Sequence, residues 1–379
     1  MERRIFLIRN IAKDKFGGGE IYQLRLADKL QEVGFSPFIL TNSKELSKKA
    51  EEKGFQVLMP PYIKNQNWSG WKNILLPVYF GYLLRLKKWY ENIFKYYKPE
   101  VVNIQSRDDF LAATWAAKKF GIRILWTDHA DFKNWVLWNV NTKFKNIIGK
   151  KIIRVSKDVY KVIFVSKNIR KETDALILPK KIENEVVIEN GVDDDFEKYK
   201  RRCRKQSFVY VGRVTKDKGI SELIEGFKIV LKKYNNSELN IYGEGDVGFY
   251  KKVAGDCNNI VFHGLTHEPL MALAENDIFV LPSYQEGLPL SLLEAAMMGK
   301  KIIASDVGGN SELVTNKKTG VLVPAKDVDK LAKAMLWMLE HKKEAEKMAK
   351  NARELYEEKF NFEKIFNEKM LPLYNLEEE

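Results

Sequence analysis

"FVYVGRVTKDKGISELIEGFKIVLKKY" (Phe208–Tyr234) holds a short apolar strand, a loop with two cations, and a long amphipathic helix. Strand, loop and helix in that order form the repeating unit of a parallel sheet covered by helices. Its position in the chain matters more than its content, because the same alternation has already run once before Asn190. The first series predicts strands at Ile5–Arg9, Pro37–Thr41, Gln56–Met59, Val101–Gln105, Ile122–Thr127 and Val162–Val165. Helical segments such as Glu20–Val33 and Asp108–Phe120 separate them. The second series predicts strands at Phe208–Val211, Glu238–Tyr242, Ile260–Phe262, Ile278–Leu281 and Lys301–Ala304. Two complete series imply two Rossmann-like, doubly wound α/β domains. The polar stretch "NGVDDDFEKYKRRCRKQS" (Asn190–Ser207) has no apolar periodicity and marks the boundary. The expected domains are 1–189 and 190–359, with a C-terminal helix at about 360–379 packing back on the first.

The 379 residues suffice for two cores, and 45% hydrophobic content is ordinary for a globular chain. No run of 18 apolar residues is present, and "MERRIFLIRN" reads as a first strand rather than a signal peptide. Cys203 and Cys257 suggest neither a disulfide framework nor a metal site, which favours a reducing, cytoplasmic setting. Charge is unevenly divided: residues 1–189 carry a net +15 and residues 190–379 a net −2. A basic half beside a neutral half points to an anionic surface or substrate, or simply to a lysine-rich exterior.

In doubly wound folds, ligands sit beyond the carboxyl ends of the strands, and each notable motif falls there. "FGGGE" (Phe16–Glu20) follows the first strand; Gly17 and Gly18 allow a backbone to approach a phosphate at a helix start. A tight structural turn explains these glycines equally well. "YVGRVTKDKG" (Tyr210–Gly219) sets Arg213 and Lys218 after a strand, as a diphosphate requires or as solvated loop charges would be. "TDHAD" (Thr127–Asp131) puts His129 just past a strand end.

"SYQEGLPLSLLEAAMMGK" (Ser283–Lys300) reads from Pro289 as a helix apolar on nearly every side, yet Glu294 sits inside it and Glu286 just before it. Pro289 suits the first turn and Gly299 the end. Backbone N–H groups near Gly287, Leu288, Pro289 and Leu290 would face a ligand. Glu286 and Glu294 would take hydroxyl groups, one from a sugar and one from a ribose; a Glu294 paired with a buried cation is the structural alternative. Asp327 and Asp329 read as helix capping, Asp193–Asp195 as linker, and His263 with His267 as no metal site.

Together with "NGVD" (Asn190–Asp193), "YGEG" (Tyr242–Gly245), "DVGGNSE" (Asp306–Glu312) and "TGVLVP" (Thr319–Pro324), these motifs resemble the retaining glycosyltransferases of family 4, the glycosyl transferases group 1. The resemblance spans essentially the whole chain. It implies the GT-B fold, two Rossmann-like domains facing across a cleft, the first for the acceptor and the second for a nucleotide-sugar. It also implies that Arg213 and Lys218 hold the diphosphate, Glu294 the ribose, and Glu286 with the Gly287–Leu290 amides the sugar. Gly17 and Gly18 would approach the phosphates, and His129 the sugar near its 6-hydroxyl. The chemistry implied needs no metal or cofactor, and the donor is a substrate, UDP-linked by default and GDP-linked next.

Two other readings compete. Nucleotide-sugar 2-epimerases share the architecture, although the paired glutamates with "GRVTKDKG" favour transfer. A nucleic-acid-binding role would explain the basic half and leave the other motifs unexplained. The segment Tyr62–Lys98 has seven Lys+Arg against one acid, and 11 of its 37 residues are aromatic. That mixture suits peripheral docking on an anionic membrane, with Trp68, Trp71 or Trp89 inserting, and a glycan or lipid-linked acceptor. An ordinary core-packed helix is the alternative.

Overall fold

The computed structural model describes residues 2–11, 16–61, 76–129, 143–177, 182–199 and 206–376. The chain divides into two compact units, Met1–Ile188 with Phe366–Glu379, and Glu189–Ile365. The first unit is built on a seven-stranded sheet: β1 (Arg4–Ile8), β2 (Ser36–Leu40), β3 (Gln56–Leu58), β4 (Val101–Ile104), β5 (Arg123–Asp128), β6 (Lys161–Phe164) and β7 (Glu185–Val187), in the order β3-β2-β1-β4-β5-β6-β7. The second unit has six: β8 (Ser207–Val211), β9 (Glu238–Tyr242), β10 (Ile260–Gly264), β11 (Ile278–Leu281), β12 (Lys301–Ser305) and β13 (Val321–Val323), in the order β10-β9-β8-β11-β12-β13. Strand pairing among the described residues is parallel in both sheets. Strands covered on both faces are apolar at consecutive positions. β1 is the example, with Ile5, Phe6, Leu7 and Ile8 all fully buried.

In each sheet the order reverses once, between β1 and β4 and between β8 and β11. At such a point neighbouring connections leave in opposite directions and open a crevice at the carboxyl ends of the strands. The two strands that the alternation does not predict, β7 and β13, are three-residue edge strands.

Two expected helices differ in detail. The helix after Glu286 spans Leu290–Met297, and Pro289 precedes it in extended geometry at ψ 134° rather than forming its first turn. Gly299 follows in the left-handed region, which closes that helix. At the C-terminus, the single helix expected at about 360–379 is three short turns, Phe362–Ile365, Phe366–Met370 and Leu371–Tyr374, the middle one of π type. Pro372 has no N–H to donate, and its ring crowds the carbonyl four residues back, so a regular α-helix cannot run through. These last turns are pinned to the first unit: Asn103 Nδ2 donates to the Tyr374 hydroxyl at 2.6 Å, and Arg123 donates to the Asn375 carbonyl at 2.6 Å.

The helix Leu76–Tyr97 buries Tyr79, Leu83, Leu86, Tyr90 and Phe94 in the first core. Trp89 packs against the same core and makes an edge contact with Tyr90, so it is not a free inserting residue. Trp68 and Trp71 lie outside the described residues. The solvent side begins with Val78 and Leu84 and continues with Arg85, Lys88, Lys95 and Tyr96. Among the described residues no helix is long and apolar enough to cross a membrane.

The loops at the carboxyl edge of the second sheet touch backbone to backbone. Gly308, at φ +54°, lies so close to the loop after β11 that a Cβ would sit 1.8 Å from the Glu286 carbonyl oxygen. Gly299, at φ +61°, has open space where its Cβ would be. Gly299→Ala should therefore cost only about 1 kcal/mol of backbone strain, whereas Gly308→Ala should cost roughly 3 kcal/mol, strain plus overlap. Thermal unfolding of the two variants measures the difference, and equal losses would contradict the close approach.

Candidate functional site

In the second unit the site straddles the reversal between β8 and β11. The loop after β8 turns at Gly219, φ +68°, where a Cβ would lie 2.1 Å from the Pro282 carbonyl. Only glycine permits that contact, and it brings the β8 loop against the β11 loop. The Tyr284 amide donates to the Asp217 carbonyl at 2.8 Å, which joins the same two loops. Lys218, in a 3-10 turn, then donates through Nζ to Glu286 Oε1 at 2.6 Å. Their side chains are only 14% and 9% exposed, so this pair is shielded from solvent screening.

Arg213 stands at the rim, half-exposed, with a guanidinium nitrogen 3.5 Å from Asp217. Burial raises the Asp217 carboxyl, but the Thr215 hydroxyl and the charges of Lys218 and Arg213 more than offset it, leaving its pKa below the ordinary value. Tyr210 is buried beneath and donates to the Arg213 carbonyl at 2.7 Å. Burial, then the negative charges of Glu286 and Asp217, holds its hydroxyl protonated well above the usual range.

The loop from Glu286 to Leu290 is held from two further sides. Asn190 Nδ2 donates to the Leu288 carbonyl at 2.8 Å, and the Gly309 amide donates to the Gly287 carbonyl at 2.6 Å. Amides are available at Gly287, Leu288 and Leu290 before and at the helix start, whereas Pro289, expected among them, has none to offer. Glu294 lies one turn into the helix Leu290–Met297 and is buried. Arg213, Lys218, Glu286 to Leu290 and Glu294 thus gather along one sheet edge of one unit.

The remaining expected residues lie in the first unit. Gly17 caps the helix Gly18–Glu32 with extended backbone, and Gly18 is its exposed first residue. His129 follows β5, partly exposed, with Nε2 3.2 Å from Gln105 Oε1 and the Tyr22 ring edge-on at 4.9 Å. Burial, with the charge of Arg9 adding, pushes its imidazole pKa well below the ordinary value.

Several supporting residues escape the sequence motifs. Arg9 donates to the buried Glu20 at 2.7 Å beneath the glycine loop, and a Cβ on Gly19 would meet the Arg9 guanidinium at 2.1 Å. The buried Asp109 carboxylate accepts from Tyr90 at 2.7 Å, from Asn10 at 2.9 Å and from Ser106 at 2.5 Å, across the reversal between β1 and β4. Glu20 stands inside the quoted "FGGGE" and Gly308 inside "DVGGNSE", so a signal existed for those two. Arg9, Asn10, Gln105 and Asp109 carry no local pattern.

His263 bonds Asn240 through Nε2 at 2.8 Å and stacks on Tyr242 at 4.1 Å. Asp327 caps the helix Val328–Glu340 by accepting from the Lys330 amide at 2.9 Å, as its position predicts. Asp194 is bound by Arg353 at 2.5 Å.

Two family models divide the chain between them. Residues 16–196 match Glycosyltransferase Family 4 and residues 191–355 match Glycosyl transferases group 1. The chain belongs to this glycosyltransferase family. A capsular polysaccharide biosynthesis glycosyltransferase of Staphylococcus aureus, CapM, is 29% identical over 258 residues, 64% of this chain and 66% of the relative. An uncharacterised glycosyltransferase of Methanocaldococcus jannaschii is 28% identical over 63% of this chain and 62% of its own length. The chain thus spans just under two thirds of these curated relatives. Among solved structures, HepE of Anabaena in complex with UDP-glucose matches 98% of both chains with a TM-score of 0.77 at 15% identity. A glycosyltransferase of Rickettsia africae matches 98% of both chains at 0.75 and 20% identity. The fold is GT-B.

The buried Lys218–Glu286 pair generates a prediction about stability without ligand. Lys218→Met strands a shielded carboxylate and should destabilise the unit by about 3 kcal/mol. Adding Glu286→Gln should recover most of that loss, because the stranded charge is then gone. Denaturant unfolding of the two single variants and the double variant measures the coupling; additive losses would mean the pair does not hold the loops together.

Proposed function

We propose that the protein is a retaining glycosyltransferase that moves a hexose-type sugar from a nucleotide-sugar to a glycan or lipid-linked acceptor in polysaccharide or glycolipid synthesis. The observation that carries this reading is the shared sheet edge on which Arg213, the Lys218–Glu286 pair and the start of the helix Leu290–Met297 converge. In this reading the second unit binds the donor and the first the acceptor. Arg213 supplies a directional fork at the rim for phosphate oxygens, and Lys218 keeps two further N–H bonds to give while it holds Glu286. Glu286 and the amides of Gly287, Leu288 and Leu290 take the sugar, and Glu294 takes the ribose hydroxyls.

Charge develops on the departing diphosphate as the glycosidic bond breaks. Two fixed cations and a helix N-terminus stabilise it there without having to reorganise. The proposed reaction therefore uses neither a metal nor a separate cofactor. Gly17 and Gly18 approach the phosphates, and His129 contacts the transferred sugar. The UDP-glucose complex of HepE and the capsular role of CapM support a UDP-sugar and a polysaccharide product; a GDP-sugar is the next candidate.

The test pairs binding with turnover. Arg213→Ala should weaken UDP about 10- to 100-fold while leaving uridine almost unaffected, the loss of a charged hydrogen bond of about 1.5–3 kcal/mol. Isothermal titration with both ligands distinguishes this from a general loss of binding. Turnover of UDP-sugars should require an acceptor and persist in excess chelator. Donor conversion without acceptor would instead identify an epimerase, and complete loss recovered by magnesium would restore a metal to the mechanism.

For a lipid-linked acceptor, the first unit docks on anionic lipid through the solvent side of Leu76–Tyr97 and the neighbouring helix Lys143–Val155. The latter carries five Lys+Arg and no acid, and its Lys151 lies over the Phe80 ring at 4.6 Å. The aromatic core face of Leu76–Tyr97 leaves charge as the main attraction, about 1 kcal/mol per cation near the surface. Flotation with anionic vesicles should recover the protein at low salt and lose it as salt rises. Equal recovery with neutral vesicles, or none at low salt, would point to an acceptor free in solution.

A further inference from the structure

The surroundings of His129 are more specific than contact with a sugar requires. Its ring is held on one side by Gln105, which is fully buried in the segment just after β4. Gln105 Oε1 lies 3.2 Å from His129 Nε2, and an amide oxygen only accepts. In this orientation of the Gln105 amide, whose Nε2 has no partner of its own, the neutral ring carries its proton on Nε2 and leaves Nδ1 with the lone pair. No protein group among the described residues donates to that Nδ1. The same Gln105 is fixed through its backbone, since Arg9 Nη1 lies 3.5 Å from its carbonyl oxygen.

We propose that Gln105 is a positioning residue that locks His129 as a neutral Nε2–H tautomer, so that Nδ1 serves as a hydrogen-bond acceptor for a substrate hydroxyl. The sugar end of this proposal rests on the glycosyl-transfer reading; the tautomer does not. Arg9 acts in the same direction. It stands at the end of β1, and a fixed positive charge there opposes protonation of the ring. The other ionisable groups around it are Tyr22, whose ring meets His129 edge-on, Glu20 on the same helix as Tyr22, and Asp128, which precedes His129 at the end of β5. Glu20 is bound to Arg9, and burial keeps the Tyr22 hydroxyl protonated.

A hydroxyl that donates to Nδ1 turns electron density on its oxygen toward the sugar. That favours the positive charge which grows on the sugar ring as the leaving group departs. An imidazolium would donate instead and oppose it. A neutral acceptor is therefore the form that suits transfer.

The test labels the imidazole nitrogens with 15N in the intact chain, which has four histidines, and assigns His129 by substitution. The wild type should show protonated Nε2 and bare Nδ1 at pH 7, and His129 should stay neutral well below pH 6.5. Gln105→Met keeps the volume and removes the acceptor, so the tautomer preference should relax toward a mixture. In a sugar-transfer assay the same variant should lower kcat about 10-fold or more with little change in donor KM. Gln105→Glu should keep Nε2–H, raise the imidazole pKa by about 1 or more, and move the acid limb of the pH–rate profile with it.

A protonated Nδ1 in the wild type, or an unchanged tautomer in Gln105→Met, overturns the proposal. The spectra need no substrate and no active enzyme. A chain with the stated tautomer that transfers no sugar would retain the positioning role and refute the transfer reading.

Discussion

The second unit depends on a buried ion pair at the place where its strand order reverses. Lys218 and Glu286 leave the adjacent parallel strands β8 and β11, and their 2.6 Å contact ties the two loops that any ligand there must meet. Both charges are nearly buried, so neither can relax into water if the other moves away. The glycines at 219 and 308 allow the loop backbones to approach closely enough for this to happen. Removing a hydrogen atom's worth of space at either position would push apart the groups that the pair draws together.

The first unit answers the same problem with other chemistry. Its reversal lies between β1 and β4, and the loops there are joined by a network on the Asp109 carboxylate with Asn10, Ser106 and Tyr90. Arg9 and Glu20 brace the glycine loop a few residues away. Both units therefore use a buried carboxylate at a strand end, Glu286 bound to one cation and Asp109 to three donors. A partly satisfied network would be worse than an apolar one, which is why each carboxylate meets several donors or a cation. His129 benefits from this rigidity, because a ring whose neighbours are fixed keeps a defined tautomer.

The chain's positive charge is concentrated in its first half. The basic first unit exposes Arg85, Lys88 and Lys95 on Leu76–Tyr97 and Lys150 and Arg154 on Lys143–Val155, while Tyr79, Tyr90 and Phe94 of the former turn inward to the core. A segment rich in both types satisfies two demands at once. Its aromatic content alone says nothing of membranes, since most of the described rings are spent on packing.

The alternation of apolar runs and amphipathic stretches determined the two parallel sheets without any reference to coordinates, because a strand buried on both faces must be apolar at successive positions. The same regularity placed Arg213, Lys218, Glu286 and Glu294 after strand ends, which are visible as changes of period. Edge strands β7 and β13, both partly exposed, do not emerge from that alternation, although the equally short β3 does, and neither does the break near Pro372. Only tertiary structure decided that Lys218 pairs with Glu286 across 68 residues, that Asn190 holds Leu288, and that Gln105 and Arg9 surround His129. Those contacts join residues distant in the chain through the order of strands in a sheet. A local pattern records what each residue is beside in sequence, and strand order determines what it meets in space.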